Sequence, residues 1–334
     1  MKALVTGSSG HLGEALVRTL RGAGHNVLGL DILPSPFTDR VASVTDREAV
    51  RQSMARADVV FHTATLHKPH VVTHSRQDFV DTNITGTLNL LEEAVEVGVE
   101  AFIFTSTTSV FGDALVPGPG EPAAWITEDV VPQPKNIYGA TKAAAEDLCQ
   151  LFHRNQGLAC LALRTSRFFP EEDDSAAVRD AYADENIKTN ELLYRRADLA
   201  DIVDAHLAAA RRAPEIGFGR YIISATSPFA QRDLAPLRGE AAAVIGRLHP
   251  EAGTVYDQLG WRLPDAIDRV YVNARARRDL GWRPRYDFAR AIALLRSGQD
   301  PRSPLARLVG SKGYHAETFD QGPYPVEEDK RRQG

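Results

Sequence analysis

Residues 2–13 read KALVTGSSGHLG. A short β-prone run leads into Gly7, Gly10 and Gly13, and apolar residues then recur at helical spacing over Leu12–Ala23. Strand, glycine loop and helix in direct succession leave few folds open. The backbone must turn sharply and point the helix's unpaired N–H groups at whatever lies against the loop. Those groups, with the helix dipole, suit a pyrophosphate. The next β-prone run, Asn26–Leu30, ends at Asp31. A carboxylate there accepts both ribose hydroxyls of NAD and repels the 2′-phosphate of NADP. A tight turn with a capping aspartate is the plain alternative. The whole succession favours the dinucleotide, and NAD over NADP.

Apolar runs and helical patterns keep alternating. Strands are expected over Lys2–Thr6, Asp58–His62, Ala101–Thr105, Leu158–Leu163 and Arg220–Ile223, and helices over Asp46–Ala55, Asp81–Val97, Ile137–Phe152 and Asp201–Arg211. That alternation implies a parallel sheet covered on both faces. After Arg164 the regularity fades, and Pro170–Asp174 (PEEDD) reads as an acidic loop. The stretch from Ser297 onward, rich in Gly, Pro and charge, either wraps the surface or is partly disordered.

With 334 residues and 43% hydrophobic content, the chain suits one large α/β unit or two lobes. A net charge of −5 gives no bias toward nucleic acid or an anionic membrane. No apolar run approaches the ~20 residues that span a bilayer, and the start is too short for a signal-peptide core. Cys149 and Cys160 lack metal or disulfide-framework spacing and read as buried thiols of a cytoplasmic protein. No metal is expected.

Two stretches carry chemistry. In NIYGATKAAAE (136–146), Tyr138 and Lys142 are one helical turn apart and share a face. A free phenol, with a pKa near ~10, is a poor base at neutral pH. A nearby ammonium stabilises the phenolate, so the pair makes a general acid–base for an alcohol proton. An exposed helix face would explain the same spacing in isolation. In FTSTTSVFG (104–112), Thr105, Ser106, Thr107, Thr108 and Ser109 form an uncharged hydroxyl run. It is either a solvated turn or a strand end holding one catalytic hydroxyl among bystanders.

Together these stretches resemble the extended short-chain dehydrogenase/reductase family, especially its NAD-dependent sugar-nucleotide epimerases and dehydratases. VFHTAT (60–65), NITGTLNLLEEA (83–94), DLADIVDAH (198–206) and LGWRP (280–284) add to the likeness, which covers most of residues 1–295. The resemblance implies an α/β protein: a Rossmann doubly wound parallel sheet with a smaller C-terminal α/β substrate lobe. Residues 1–168, with a return segment near 195–225, would bind NAD. Residues 169–194 and 226–300 would cover the substrate, and 301–334 would form a tail. It also implies a homodimer packed through the helices near 84–97 and 138–153. Cofactor contacts would come from Gly7, Ser9, Gly10, His11, Leu12, Gly13, Asp31, Ser43, Val44, Thr63, Ala64, Thr65, Asn83, Thr105, Tyr138 and Lys142. The hydroxyl pattern, aligned on Val110–Gly112, assigns the catalytic hydroxyl to Thr107, with Thr108 as the alternative.

The chain departs from that pattern in places. Dehydratases of the family carry an Asp–Glu pair directly after the catalytic threonine, where this chain has Thr108 and Ser109. Neither titrates near neutral pH, which argues against elimination of water. Ser43 stands where relatives have an adenine-binding aspartate. Arg167 replaces an asparagine that contacts substrate. It either receives an anion or pairs with the acidic run Glu171–Asp174. Arg195, Arg196, Arg262 and Arg269 are further anion candidates, and substrate contacts are expected from Thr107, Thr108, Arg167, Arg196 and Arg262. His67, Lys68 and His70 read as a solvated loop. The expected function is a sugar-nucleotide epimerase acting at C4, by transient hydride transfer to tightly bound NAD. A net NAD-dependent oxidoreductase on an alcohol or ketone is the alternative, and a non-catalytic NAD-sensing protein a third reading.

Overall fold

The structure is a computed structural model and describes residues 1–313. Of the expected tail, 314–334 lie outside the described residues.

β1 (Lys2–Thr6), α1 (His11–Gly22), β2 (Asn26–Asp31), a two-residue β3 (Arg40–Val41), α2 (Arg47–Met54) and β4 (Val59–His62) open the chain. The short α3 (Arg76–Val80) and α4 (Gly86–Val97) follow, then β5 (Ala101–Thr107), β6 (Ala124–Ile126), α5 (Ile137–Gln156) and β7 (Cys160–Thr165). Next come α6 (Ala176–Ala181), α7 (Asp184–Glu191), α8 (Leu199–Ile216) and β8 (Phe218–Ile223). The chain continues through α9 (Ala241–Leu248), α10 (Pro250–Leu259), β9 (Arg269–Tyr271), α11 (Ala274–Asp279), α12 (Phe288–Arg296) and α13 (Pro304–Val309).

Seven strands form one sheet in the order β3-β2-β1-β4-β5-β7-β8, every pair parallel. Its central strands β1, β4, β5 and β7 are buried on both faces. Leu4, Val60, Phe102 and Ala162 meet Leu90, Leu91 and Cys149 on one side; Val5, Phe61, Ile103 and Leu163 meet Leu16, Ile202 and Ala209 on the other. β2 and β4 flank β1, so the order reverses there, and the crevice at the strands' carboxyl ends is where such sheets take ligands.

A second core gathers Leu193, Phe229, Ile245, Tyr256, Val270, Phe288 and Ile292 around the parallel pair β6-β9. β8 meanwhile returns the chain to the main sheet. Two local details sharpen the sequence expectation. The helix expected from Asp81 begins as a π-turn over Asp81–Thr85. Residues 301–313 are not loose: Leu305 and Val309 of α13 join the core that also holds α1 and α8.

Candidate functional site

Gly7 has φ +72°, and a Cβ there would stand 2.7 Å from the Ala64 amide nitrogen. A Cβ on Gly13 would stand 1.9 Å from the Gly7 carbonyl oxygen. Both glycines are therefore forced by the packing of the loop on the β4 end and on α1. Gly10 is different. It is exposed, and its Cβ would meet nothing closer than the Gly7 oxygen at 3.3 Å. A Cβ at Gly10 would be tight against that oxygen without overlapping it, and the exposed Gly10 backbone is open to a ligand.

Asp31 ends β2 with its carboxylate beside this loop. It accepts from the amides of Ser9 (2.9 Å) and Leu33 (2.9 Å). Each oxygen keeps lone pairs for a further donor. Leu12 is buried in the core, and His11 opens α1. On β4's exit, Thr63 donates to the Thr6 carbonyl (2.7 Å), and the Ala64 amide donates to Thr6 Oγ1 (3.2 Å).

Three of the residues expected at the cofactor already have side-chain partners within the protein. Asn83 spends its whole amide inside the protein. Its oxygen accepts from Thr65 Oγ1 and the Leu66 amide, and its nitrogen donates to the Leu66 carbonyl and Thr141 Oγ1. It fixes the loop after β4 onto α5. Ser43's hydroxyl is engaged by Thr45 (2.8 Å), in a turn whose Val44 is buried under Gly86. Thr105's hydroxyl faces away, 2.9 Å from Nε2 of the buried His206 on α8.

The hydroxyl run divides by strand alternation. Ser106 donates to Glu146 (2.5 Å) beneath α5. Thr107 caps the following turn by accepting from the Ser109 amide (3.1 Å), and its hydroxyl also bonds the Tyr138 phenol. Thr108 opens that turn and makes no side-chain hydrogen bond to the described residues. Asn136 caps α5 through the Gly139 amide (3.1 Å), which starts the helix where Tyr138 and Lys142 share one face.

Both are buried. Burial pushes the Tyr138 phenol up to about 12, against the opposing bond from Thr107. Burial pulls the Lys142 ammonium down to about 7, outweighing the opposing influence of Cys149 and Glu146. Among the described residues no carboxylate pairs with Lys142, whose Nζ lies 4.0 Å from the Phe104 ring centroid. A buried ammonium without a carboxylate, beside a buried phenol, suits a site that a ligand completes.

The expected anion-binding arginines are already committed. Arg167 pairs with Asp173 (2.5 Å) and Glu191 (3.1 Å), Arg195 with Glu191 (2.8 Å), and Arg196 with Glu191 (2.8 Å) and the Phe169 carbonyl (3.0 Å). Arg262 donates to the Ala181 carbonyl and lies over Tyr182 (4.6 Å). Arg269 donates to the carbonyls of Gly112 and Ala114. Lys68 pairs with Asp174. His67 is not merely solvated loop: its ring packs against His70 (4.6 Å), Phe169 (5.4 Å) and Tyr138 (6.5 Å). Two further residues matter that the sequence patterns did not single out. Glu146 lies one turn beyond Lys142, a spacing visible in the sequence; it binds Ser106, Arg164 and Arg220. Glu171 belongs to the acidic run read from the sequence, but its partner His11 lies far off in the chain, and no local pattern announces that pairing.

A parallel doubly wound sheet, a glycine cradle at its switch point and a buried tyrosine–lysine pair define a dinucleotide-dependent enzyme of the short-chain dehydrogenase type. Residues 3–219 match the NAD dependent epimerase/dehydratase family, and the chain belongs to it. NAD is accordingly its cofactor. The chain is 28% identical to a UDP-glucose 4-epimerase of Mycolicibacterium smegmatis, over 88% of this chain and 96% of the relative. It is 27% identical to a 3-beta-hydroxysteroid dehydrogenase of Mycolicibacterium neoaurum, over 87% and 89%. In fold it is similar to a short-chain dehydrogenase/reductase superfamily protein from Agrobacterium tumefaciens solved with NAD, with a TM-score of 0.62 at 21% identity, covering 92% of this chain and 99% of that one. Among the described residues no helix is long and apolar enough to cross a membrane, and no cluster of His, Cys, Asp or Glu could hold a metal ion.

Proposed function

We propose that this chain is an NAD-dependent sugar-nucleotide epimerase acting at C4. One observation supports the reading: Tyr138 of α5 meets Thr107 at the carboxyl end of β5, with the buried Lys142 one helical turn on and over Phe104 of the same strand, while positions 108 and 109 offer no titratable acid. Tyr138 takes the proton of the substrate hydroxyl and later returns it. Thr107 hydrogen-bonds the same oxygen and orients it. Lys142 supports the phenolate and the cofactor ribose. With its phenol held near about 12 by the protein alone, Tyr138 becomes a base only when positive charge is close. NAD, when bound, would supply that charge on its nicotinamide ring and the reversible hydride-transfer chemistry at the carbinol carbon. Gly7, Gly10, Gly13 and the N-terminus of α1 would hold its pyrophosphate, and Asp31 its adenosine ribose.

The test is an NMR panel of UDP-, GDP- and dTDP-sugars incubated with protein carrying NAD. Appearance of the C4 epimer of one of them is expected, and no change in any of them would sink the reading. We also infer a homodimer through α4 and α5, whose Val97 and Leu151 are exposed; light scattering on the purified protein would show a monomer if this is wrong.

A second reading has its own support. Arg167, Arg195, Arg196 and Arg262 already have partners, so a substrate diphosphate would have to compete for them. A net oxidoreductase acting on an alcohol without a diphosphate needs none of them. It predicts steady NADH formation with added NAD, which an epimerase that regenerates its own cofactor does not give.

A further inference from the structure

The loop after β7 crosses from one end of the site to the other. The Phe169 ring lies 5.3 Å from that of His11, edge-on, and 5.4 Å from that of His67, stacked. His11 begins the helix at the glycine cradle, and the His67 ring is 6.5 Å from that of Tyr138. Phe169 therefore bridges the pyrophosphate side and the acid–base side.

Glu171, two residues on, ties this loop to residues 311–313. Its Oε1 lies 2.9 Å from His11 Nε2 and accepts from the Ser311 hydroxyl (2.9 Å), the Lys312 amide (3.0 Å) and the Gly313 amide (3.1 Å). The side chain is only 6% exposed. Burial alone would raise its pKa, yet His11 and the amides hold it down at about 2, so the carboxylate is charged. Its other oxygen, Oε2, is buried with no partner among the described residues. Lys312 makes a second tie, to Glu14 on α1. Leu305 and Val309 of α13 anchor the strap from behind in the core shared with α1. A carboxylate with every donor on one oxygen and none on the other is a poor way to stabilise a fold. Its placement answers to the loop it holds.

We propose that Glu171 is a positioning residue for NAD: it clasps the C-terminal strap, residues 303–313, to the glycine-loop helix and holds the Phe169 loop closed over the cofactor, slowing its release. The proposal deepens the epimerase reading and rests on it, because an epimerase keeps one cofactor through many turnovers whereas a net oxidoreductase must exchange it.

Release is measured directly by loading the full chain with NADH, chasing with excess NAD and following the loss of bound-NADH fluorescence. Glu171→Ala should release NADH about tenfold faster, equivalent to ~1.4 kcal/mol of lost retention. Lys312→Ala should give a smaller acceleration in the same direction. Glu171→Gln, which keeps an acceptor oxygen, should restore most of the retention. Arg247→Ala, which breaks a remote ion pair with Asp233, controls for general loosening at a similar fall in Tm. An unchanged release rate in Glu171→Ala overturns the clasp, and so does an equal acceleration in Arg247→Ala. If Glu171→Ala does not fold, Lys312→Ala on the strap decides the question: faster release supports the clasp, and an unchanged rate overturns it. The sugar panel on the wild-type chain reads the epimerase assignment separately, so either idea can fail while the other stands.

Discussion

Lys142 and Glu191 are both charged groups taken out of water, 2% and 1% exposed, and the protein treats them in opposite ways. Glu191 is ringed by Arg167, Arg195 and Arg196, whose charges outweigh the cost of burial and hold its carboxyl at about 2. Lys142 has an aromatic face and no carboxylate, and burial prevails, holding it at about 7. The charges around Glu191 are satisfied within the chain and build the junction between β7 and α7. The charge on Lys142 waits for something outside the chain. Burial without compensation falls on the proposed acid–base pair, and burial with compensation falls on an ion-pair cluster that joins segments of the chain.

The largest effect is expected at the uncompensated end. Tyr138→Phe removes only the phenolic oxygen from a ring that stays packed, so Tm should hold while turnover falls ~10²–10⁴-fold, the usual share of general acid–base catalysis. Steady-state rates beside a thermal melt check both halves. Retained turnover would mean the buried phenol is structural after all, and a retained physiological role without turnover would favour the sensing reading.

At the compensated end the effect should fall on stability. Glu191→Gln leaves three guanidinium groups without their shared anion and should cost about 3 kcal/mol, read from a denaturant titration. The sign of the pH dependence follows. The folded pKa of Glu191, about 2, lies below the ordinary 4.5, so its contribution is present above pH 4.5 and lost as pH falls toward 2. In Glu191→Gln that part of the acid sensitivity should disappear. An unchanged titration would mean the cluster contributes nothing to the fold.

A finer break separates neighbours on the hydroxyl run. Thr107→Val should lower turnover by ~10²-fold, as for loss of one positioned donor. Thr108→Val, whose hydroxyl has no partner in the described residues, should cost far less. Reversed magnitudes would shift the catalytic register by one residue.

The same contrast explains how far the sequence could be read. The glycine loop, Asp31, the Tyr–Lys spacing and the long strands are local patterns, and β1, β2 and α5 begin where the periodicity predicts. β3, β6 and β9 are two or three residues long, too short for any period, and β6 and β9 are far apart in the chain. Arg167 could be named, and the acidic run holding Asp173 as one of its two possible partners, but the choice between that run and an anion could not be made, because it depends on Glu191 arriving from α7. Thr105 was one of five similar hydroxyls, and only the position of α8 shows that it serves His206.

The smallest expected effect returns to Lys142 and runs opposite to its effect on activity. Lys142→Met keeps the length and apolar body of the side chain and removes an ammonium that no described carboxylate pairs. Turnover should be lost, while protein stripped of cofactor should become more stable by ~1 kcal/mol near neutral pH, in line with replacement of poorly compensated buried charge. The linkage gives a sharper signature. The folded pKa, about 7, lies below the ordinary 10.5, so the wild-type contribution is complete above pH 10.5 and is lost as pH falls toward 7. Stripped wild-type protein should therefore gain stability relative to Lys142→Met as pH is raised from 7 to 10. A pair of denaturant series across that range reads the slope. Parallel curves would mean that the ammonium is already paired, and the contrast with Glu191 would collapse.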